Sequence, residues 1–311
     1  MKIERETLTS VIIPFIIFTT IWGSTWIVIR DQLGVVPAQW SVSYRFIIAA
    51  IAMALVTRWR GVSLKPSKEL LGVAAIIGIS QFCVNFNAVY MAEHYVTSGL
   101  VATVFALLML PNALLAWWWL GHKPTGRFLA ASLVAVAGIG LLFLHELRAK
   151  PDLTLVALWV GIGWTVVGLL AASISNVYQA REKVKHLPLF SILTWAMAIG
   201  AVCDIILAWA LTGPPVIETR IGYWAGLLWL SLAASVLCFS LYYPVVRRIG
   251  PGKAAYSSAI VPIIAMALST LFEGFQWTPL SLGGAALAIG GMVIALYARQ
   301  RPALVTNPDA A

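Results

Sequence analysis

The amino-acid sequence predicts an all-α membrane protein of ten transmembrane helices, built as two inverted five-helix repeats with both termini in the cytoplasm. Three observations support this prediction: the composition, the number of long apolar runs, and the positions of the basic residues between them. Of the 311 residues, 60% are hydrophobic and 11% are charged, whereas soluble domains carry roughly 25% charged residues. A soluble fold cannot bury so much apolar surface, so lipid is the expected solvent.

The apolar runs set the number and the positions of the spans. A helix needs about 20 apolar residues to cross the hydrocarbon core of a bilayer. Cutting the chain at its polar clusters leaves ten runs of this kind, and no small-residue cleavage site follows the first, so we expect a retained span there rather than a signal peptide. The runs cover residues 8–29, 37–57, 69–92, 97–120, 126–145, 153–179, 188–212, 222–246, 253–272 and 277–298.

The basic residues predict the orientation of these spans. With the N-terminus inside, the segments on the cytoplasmic side carry 16 Lys and Arg residues, and those on the opposite side carry 4. This is the positive-inside bias of a multi-pass membrane protein. The net charge of +9 is divided among separate clusters rather than gathered in one patch, so no nucleic-acid partner is expected.

A pattern shared by the two halves predicts an internal repeat. Pro111 and Pro262 occupy corresponding positions in the fourth and ninth predicted spans, and Thr125 and Thr278 begin stretches that align without a gap. Matched residues within these stretches are Leu129 with Leu282, Ala135 with Ala288, and Gly138 with Gly291. Because each half has an odd number of helices, the second half must enter the membrane from the opposite side, as in many secondary transporters. The predicted domains are repeats at 1–148 and 149–298 and a disordered cytoplasmic tail at 299–311.

Motifs in a particular order carry a resemblance to a known family. The motifs of the first half are Trp22-Gly23-Ser24, Arg45, Tyr95-Val96-Thr97-Ser98, Pro111 and Leu120-Gly121. Those of the second half are Tyr242, Arg247, Arg248, Ile249, Gly250, Pro251, Pro262 and Glu273. Over nearly its whole length the chain thus resembles the ten-helix drug/metabolite transporters built from two EamA-type repeats. It departs from them at His122, where the family usually has Glu, and at Ala171-Ala172-Ser173-Ile174-Ser175, where the second half lacks a Trp-Gly-Ser motif.

The resemblance implies a secondary transporter that moves small organic metabolites, usually outward. Bacterial amino-acid exporters, including those that handle aromatic amino acids, are the members that this chain resembles most. Its inverted repeats imply alternating access to a central site. The expected partners are a small-molecule substrate and the lipid bilayer, no cofactor is implied, and the chain is expected to act as a monomer.

Polar residues inside spans are costly and mark candidate substrate contacts. Gln81 and Asn85 lie four residues apart, so on an α-helix they share a face and can hydrogen-bond the amino or carboxylate group of a substrate. Hydrogen bonding between helices is the alternative role for both. Arg45 can hold a substrate carboxylate, or it can pair with an acid or cap backbone carbonyls. Asp204 can be a proton or cation site, or a lone buried acid that stays neutral.

Two tryptophans lie deep in predicted spans, next to small residues. Trp22 and Trp164 could form an aromatic wall that stacks with an apolar or aromatic substrate side chain. Trp164, Gly168, Ala171 and Ser175 share one face of the sixth predicted span, which fits either a cavity lining or close helix packing. Most of the other tryptophans are expected to anchor the membrane interfaces.

Three further residues are candidates for hinges and gates. Pro111 and Pro262 each remove one backbone hydrogen bond and kink a helix. Because these kinks are related by the repeat, they are candidate hinges, with a fixed kink that shapes packing as the alternative. Glu273 is predicted to be a gate or helix-terminus residue.

Other classes of function are less well supported by the sequence. A channel-like facilitator for small polar solutes stays an alternative, because Asn and Gln can line pores. An intramembrane enzyme is disfavoured, because GxSxG, HExxH and CxxC motifs are missing from the sequence and all four His residues fall at predicted helix ends. We therefore predict no enzymatic activity, no catalytic residues and no metal site. The predicted cavity is mostly apolar, lies among helices 1, 3, 4, 6, 8 and 9, and binds amino acids through a few neutral hydrogen bonds.

Overall fold

The computed structural model describes residues 8–121, 123–149, 154–179, 181–245 and 257–298. These residues contain helices and no strand, and nine of the helices are long and apolar enough to cross a membrane. A further apolar helix, α9, has 16 residues within the described part of the chain. In order, the helices are α1 (Ser10–Asp31), α2 (Ala38–Trp59), α3 (Lys68–Glu93), α4 (Ser98–Trp119), α5 (Gly126–Ala149), α6 (Leu155–Gln179), α7 (Leu189–Thr212), α8 (Ile221–Val245), α9 (Ser257–Phe272) and α10 (Pro279–Ala298).

Each described helix lies within a few residues of a predicted span, and the ends of three differ in ways that matter. α3 continues to Glu93 and α5 to Ala149, so two acidic residues that were placed in loops, Glu93 and Glu146, belong to helices. α9 is described only from Ser257. Parts of the sequence analysis lie outside the described residues, namely His122, Arg247, Arg248, Ile249, Gly250, Pro251 and the tail at 299–311.

Local signals in the sequence account for several helix ends. Ser67 precedes α3, and its side chain accepts a hydrogen bond from the backbone N–H of Leu70, as expected of an N-cap. Thr125 does the same for the N–H of Phe128 at the start of α5. Gly121 follows α4 with φ of 74°, a left-handed conformation that glycine adopts without steric cost.

The described helices pack with a reciprocal pattern of neighbours. α3 packs against α6 and α7, and α8 packs against α1 and α2. Similarly, α4 packs against α6 and α9, and α9 packs against α1 and α4. α5 packs against α10, and α2 packs against α7. When each helix is replaced by the corresponding helix of the other half, five places along the chain, the same set of contacts results. The two halves are therefore equivalent in their packing neighbours.

The closest of these contacts joins the backbones of α5 and α10. A Cβ atom on Gly138 would lie 2.4 Å from the backbone nitrogen of Ala288, and one on Gly291 would lie 2.5 Å from that of Ala135. These are the residues that the repeat matches, Ala135 with Ala288 and Gly138 with Gly291. Glycine at both positions therefore permits a close and reciprocal helix contact.

Hydrogen bonds at both ends show that α5 and α10 run antiparallel. The Thr125 hydroxyl, at the start of α5, donates to the carbonyl of Ala298, at the end of α10, over 3.3 Å. The Thr278 hydroxyl, before α10, lies 3.1 Å from Nδ1 of His145, near the end of α5. Matched threonines thus contact the opposite ends of each other's helices.

Two helices widen into π-helix at corresponding positions. The π segments are Gly78–Asn85 in α3 and Trp229–Leu237 in α8. They begin 151 residues apart, the same interval that separates Pro111 from Pro262. Because the first segment is π-helical, the α-helical register from which the shared face of Gln81 and Asn85 was predicted is wrong. π segments occur frequently at functional sites.

The two prolines have different local effects. A 3₁₀ turn, Ala106–Leu108, interrupts α4 shortly before Pro111. The turn adjusts the backbone next to Leu107, whose carbonyl the proline ring would otherwise meet in an α-helix. α9 continues as α-helix through Pro262. A hinge role for either residue stays a prediction.

Candidate functional site

Trp22 of α1 is held against the π segment of α8. Its indole N–H donates to the carbonyl of Ala234 over 3.0 Å. Its ring lies 5.3 Å from that of Phe18, 5.6 Å from Phe239 and 5.1 Å from Tyr242, measured between centroids. These distances are typical of edge-to-face aromatic packing. α1 and α8 therefore build an aromatic wall, of which Trp22 is the part that the sequence predicted.

Arg45 of α2 is buried beside this wall, at 1% exposure. Its Nε–H donates to the hydroxyl of Ser235, the residue after the Trp22 acceptor, over 3.2 Å. The guanidinium carbon lies 4.2 Å from the ring centre of Phe86 and 5.3 Å from that of Phe46, so aromatic faces support the charge. The Tyr90 hydroxyl lies within electrostatic range. Among the described residues, the Arg45 Nη1 atom has no hydrogen-bond acceptor.

Gln81 and Asn85 are both buried in the π segment of α3. The Asn85 Oδ1 atom has no hydrogen-bond donor within the described ranges. A Cβ atom on Gly168 of α6 would lie 3.4 Å from this oxygen and 3.2 Å from Cζ of Phe105. Gly168 thus lets the backbone of α6 approach Asn85, as expected of a small-residue face.

The remaining residues predicted on α6 separate in the structure. Ser175 is fully buried and accepts a 3.4 Å hydrogen bond from Gln179, which also donates to the Tyr243 hydroxyl over 2.6 Å. Trp164 is 37% exposed, and neighbouring apolar side chains are exposed to a similar degree, such as Val167 at 41%. Ser175 therefore lies in the interior of the helix bundle, whereas Trp164 lies at its margin.

Asp204 is not a lone buried acid. Its Oδ1 atom accepts a 2.8 Å hydrogen bond from the Asn87 amide, which also donates to the carbonyl of Cys83 over 3.0 Å. The other oxygen, Oδ2, has no donor among the described residues. Asn87 thus joins α3 to α7.

A cluster of charged and polar residues joins one end of α1, α3, α4 and α9. The Arg30 guanidinium donates to the backbone carbonyl of Glu93 and lies 3.8 Å from the Glu273 carboxylate. Glu273 accepts hydrogen bonds from the backbone N–H and the hydroxyl of Ser98, over 3.2 Å and 2.6 Å. We call Arg30, Glu93, Ser98 and Glu273 the end cluster. It links helices of both halves of the chain.

Two neighbours complete the surroundings of the end cluster. Glu146 of α5 accepts from the backbone N–H and the hydroxyl of Thr97, over 3.3 Å and 3.4 Å. Burial and the charge of Arg30 lower the pKa of His94, in the loop between α3 and α4. His94 is therefore neutral at neutral pH and adds no second cation beside Arg30.

The structure brings together some of the predicted site residues and separates others. Trp22 and Arg45 bond to adjacent residues of α8, close to the face of α3 that carries Phe86. Glu273 lies in the end cluster, and Trp164 lies apart from both groups. The substrate role of these residues stays a prediction.

Sequence reasoning missed Tyr90, Glu93 and Ser235. Tyr90 and Glu93 are three residues apart and thus share a helix face, a signal that was lost because the predicted span ended at residue 92. Ser235 could not be found in this way, because its contact with Arg45 spans 190 positions in sequence.

The helical fold and the family model agree on the class of protein. Residues 9–144 and 159–297 match the EamA-like transporter family, so the chain belongs to that family and has two EamA domains. It is a membrane transporter for a small-molecule substrate and a multi-pass protein of the bacterial inner membrane. The resemblance predicted from the motifs is confirmed.

Individual relatives cover most of the chain. It is 28% identical over 290 residues to the "Uncharacterized inner membrane transporter YedA" of Escherichia coli strain K12, covering 89% of this chain and 88% of the relative. It is 26% identical over 282 residues to the "Probable terminal-alkyne amino-acid exporter" of Streptantibioticus cattleyicolor, covering 88% and 89%. A solved "Crystal structure of protein" aligns with TM-score 0.67 and 19% identity over 92% of this chain and 96% of that one, which shows the fold alone.

The Trp22 hydrogen bond gives a stability prediction. Trp22→Phe should lower the free energy of unfolding by about 1 kcal/mol, because the Ala234 carbonyl loses a donor while the ring contacts are kept. Trp229→Phe is the matched control and should cost less than about 0.5 kcal/mol, since Trp229 is 42% exposed and its indole N–H donates to the Ser24 hydroxyl over 3.2 Å, in an exposed hydrogen bond, rather than to a buried carbonyl. Denaturant unfolding in mixed micelles measures both, and equal losses would contradict a special role for the Trp22 bond.

Proposed function

We propose that this protein exports small metabolites, most of all amino acids including aromatic ones, across the cytoplasmic membrane. The observation that carries the proposal is the buried Arg45, a permanent cation without an acid within ion-pair distance among the described residues. A buried charge without a partner is costly, so a site for a carboxylate beside the aromatic wall is the role that we assign to it. The name of the Streptantibioticus cattleyicolor relative, an amino-acid exporter, supports this substrate class.

We infer that transport proceeds by alternating access between two inverted five-helix repeats. Support comes from the reciprocal neighbours of the helices, the antiparallel α5–α10 pair and the two π segments 151 residues apart. In this proposal α9 is the ninth of ten spans, and both termini are cytoplasmic, in line with the distribution of basic residues. Repeats of this kind expose a central site to either face by rocking.

The end cluster is the gate in this mechanism. With the N-terminus inside, Arg30, Glu93, Ser98 and Glu273 all fall at the outer ends of their helices. Their contacts join α1, α3, α4 and α9, so breaking them would separate the helices at the outer face. We propose that Pro111 and Pro262 are the hinges of this motion. No chemical change to the substrate and no cofactor is part of the proposal.

Transport in proteoliposomes tests the proposal. Vesicles loaded with unlabelled L-phenylalanine or L-leucine should accumulate the labelled amino acid by counterflow, because a carrier exchanges substrate across the membrane. The flux should saturate with substrate concentration and should prefer one enantiomer. A channel-like facilitator should show neither saturation nor stereoselectivity, and it should not support counterflow. Absence of counterflow for both amino acids would overturn the proposed substrate class.

Two substitutions test the predicted cavity lining. Asn85→Ala should reduce counterflow, because the side chain is buried and its oxygen is available to a ligand. Trp164→Ala should also reduce it if Trp164 faces the substrate, and Trp159→Ala, at a site 67% exposed on the same helix, is the matched control. Unchanged transport in both Asn85→Ala and Trp164→Ala would overturn the assignment of these residues to the site.

A further inference from the structure

Two buried charges of opposite sign lie on one side of α3 without ion-pair partners among the described residues. The first is Arg45, whose Nη1 atom lacks an acceptor. The second is the carboxylate of Glu93, which is 0% exposed and whose two oxygens both lack a donor. A buried carboxylate normally accepts several hydrogen bonds, so the two Glu93 oxygens without a donor among the described residues are groups that a cationic donor would stabilise.

The groups nearest to Glu93 do not satisfy its carboxylate. Arg30 donates to the backbone carbonyl of Glu93, and its Nε atom faces the Glu273 carboxylate. Glu273 itself is satisfied by Ser98. Asp204, a further buried acid, is bonded to Asn87. The end cluster therefore holds the backbone of Glu93 in place while its side-chain oxygens stay unoccupied.

Tyr90 connects the two charges along α3. Phe86, Tyr90 and Glu93 are spaced by four and three residues, so they lie on one face of the helix. Arg45 stacks on Phe86 and lies within electrostatic range of Tyr90, and Glu93 is one turn beyond, a rise of about 5 Å. The Tyr90 hydroxyl interacts with the Arg45 guanidinium at hydrogen-bonding range. The face thus presents a cation, a hydroxyl and an anion in order.

We propose that Arg45, Tyr90 and Glu93 form a recognition site for the zwitterionic backbone of an α-amino acid. Arg45 binds the substrate carboxylate, Glu93 binds the α-ammonium group, and Tyr90 donates to the carboxylate. The substrate side chain extends toward the aromatic wall of Trp22 and Phe239. This inference rests on the proposed function and narrows it, because it requires both charged groups of the amino acid to be free.

The energetic reason is that, among the described residues, neither Arg45 nor Glu93 has a group of opposite charge at ion-pair distance when substrate is absent. Removing a charge from water costs several kcal/mol unless a partner of opposite sign and hydrogen bonds replace the lost hydration. A zwitterion supplies both partners at once and adds no net charge to the membrane interior. An anion or a cation alone would satisfy one of the two groups and leave the other unpaired, so the site selects against each of them.

Competition against labelled L-phenylalanine counterflow tests the inference without any substitution. N-acetyl-L-phenylalanine lacks the ammonium group and L-phenylalaninamide lacks the carboxylate, but both keep the ring. Each should compete at least about tenfold more weakly than L-phenylalanine, because one charge-assisted pair is lost. Counterflow with equal competition by all three would overturn the zwitterion site and leave the proposed function standing. No counterflow would overturn both.

Two substitutions assign the two ends of the site. Glu93→Gln should abolish the discrimination against N-acetyl-L-phenylalanine and keep the discrimination against L-phenylalaninamide. Arg45→Gln should abolish the discrimination against L-phenylalaninamide and keep the discrimination against N-acetyl-L-phenylalanine. Glu146→Gln is the matched control, because Glu146 is also a buried carboxylate at this end of the bundle but bonds to Thr97. It should keep both discriminations. In the contrary outcome, Glu93→Gln keeps the discrimination against N-acetyl-L-phenylalanine and loses a pH dependence of transport that the parent protein shows. This outcome would identify Glu93 as a proton site and would overturn the inference.

Discussion

Gly138→Ala is expected to lower the free energy of unfolding by about 3 kcal/mol, because overpacking a close contact costs energy on this scale. Most of the variant protein should therefore fail to fold. The added Cβ would lie 2.4 Å from the Ala288 nitrogen and 2.6 Å from the Gly284 oxygen. Both atoms belong to the backbone of α10, so no side chain can rotate away to make room. The two helices must separate, and their close packing is lost.

Gly140→Ala provides the matched control for this prediction. Gly140 lies on the same helix, two residues away, and no heavy atom lies within 4 Å of the position that its Cβ would take. It should leave stability unchanged or raise it slightly, because alanine has the higher helix propensity. Thermal unfolding of the detergent-solubilised proteins measures the difference. Similar stability of the two variants would show that α5 and α10 do not pack as described.

Glu273→Gln is expected to open the outer face of the transporter. The substitution removes the charge that faces Arg30 and weakens the cap on Ser98, which together should destabilise the outward-closed state by about 1.5 kcal/mol. A shift of this size changes the population of the open state about tenfold. Opening should expose Cys238, which is fully buried beside Arg45.

Labelling of Cys238 measures this shift. In a background with Cys83 and Cys203 replaced by alanine, a membrane-impermeant maleimide added outside should react about tenfold faster in Glu273→Gln. Asp31→Asn is the control, because Asp31 forms an ion pair with Arg220 near the same end, with both side chains about half exposed. Exposed pairs contribute little, so the control should label at the original rate. Equal rates for Glu273→Gln and its parent would remove the end cluster from the gate.

The fold was largely predictable because the membrane imposes one requirement on each span. Every span must be apolar for about 20 residues, so the chain could be divided by inspection and the helices found within a few residues. The motifs led to the family, and that prediction is confirmed.

The candidate site was less predictable, for reasons visible in particular residues. Gln81 and Asn85 were placed by an α-helical period, but α3 is π-helical there. Asp204 was treated as alone because its partner Asn87 is 117 positions away in sequence. Glu93 was assigned to a loop, although the helix extends to include it. Sequence periodicity reports the face of a regular helix and says little about irregular segments or distant partners.

Composition and residue order were enough to predict the solvent, the positions of the spans and the family, because each depends on one dimension alone. The surroundings of the buried charges became visible only once the helices were packed together. Among the described residues, Arg45 has Ser235 and two aromatic faces but no acid at ion-pair distance, and the Glu93 carboxylate has no donor. Asp204 accepts from Asn87, and Glu273 accepts from Ser98. The physical reason is that the cost of a buried charge depends on the groups within a few ångströms of it, and helix packing brings those groups from distant parts of the chain.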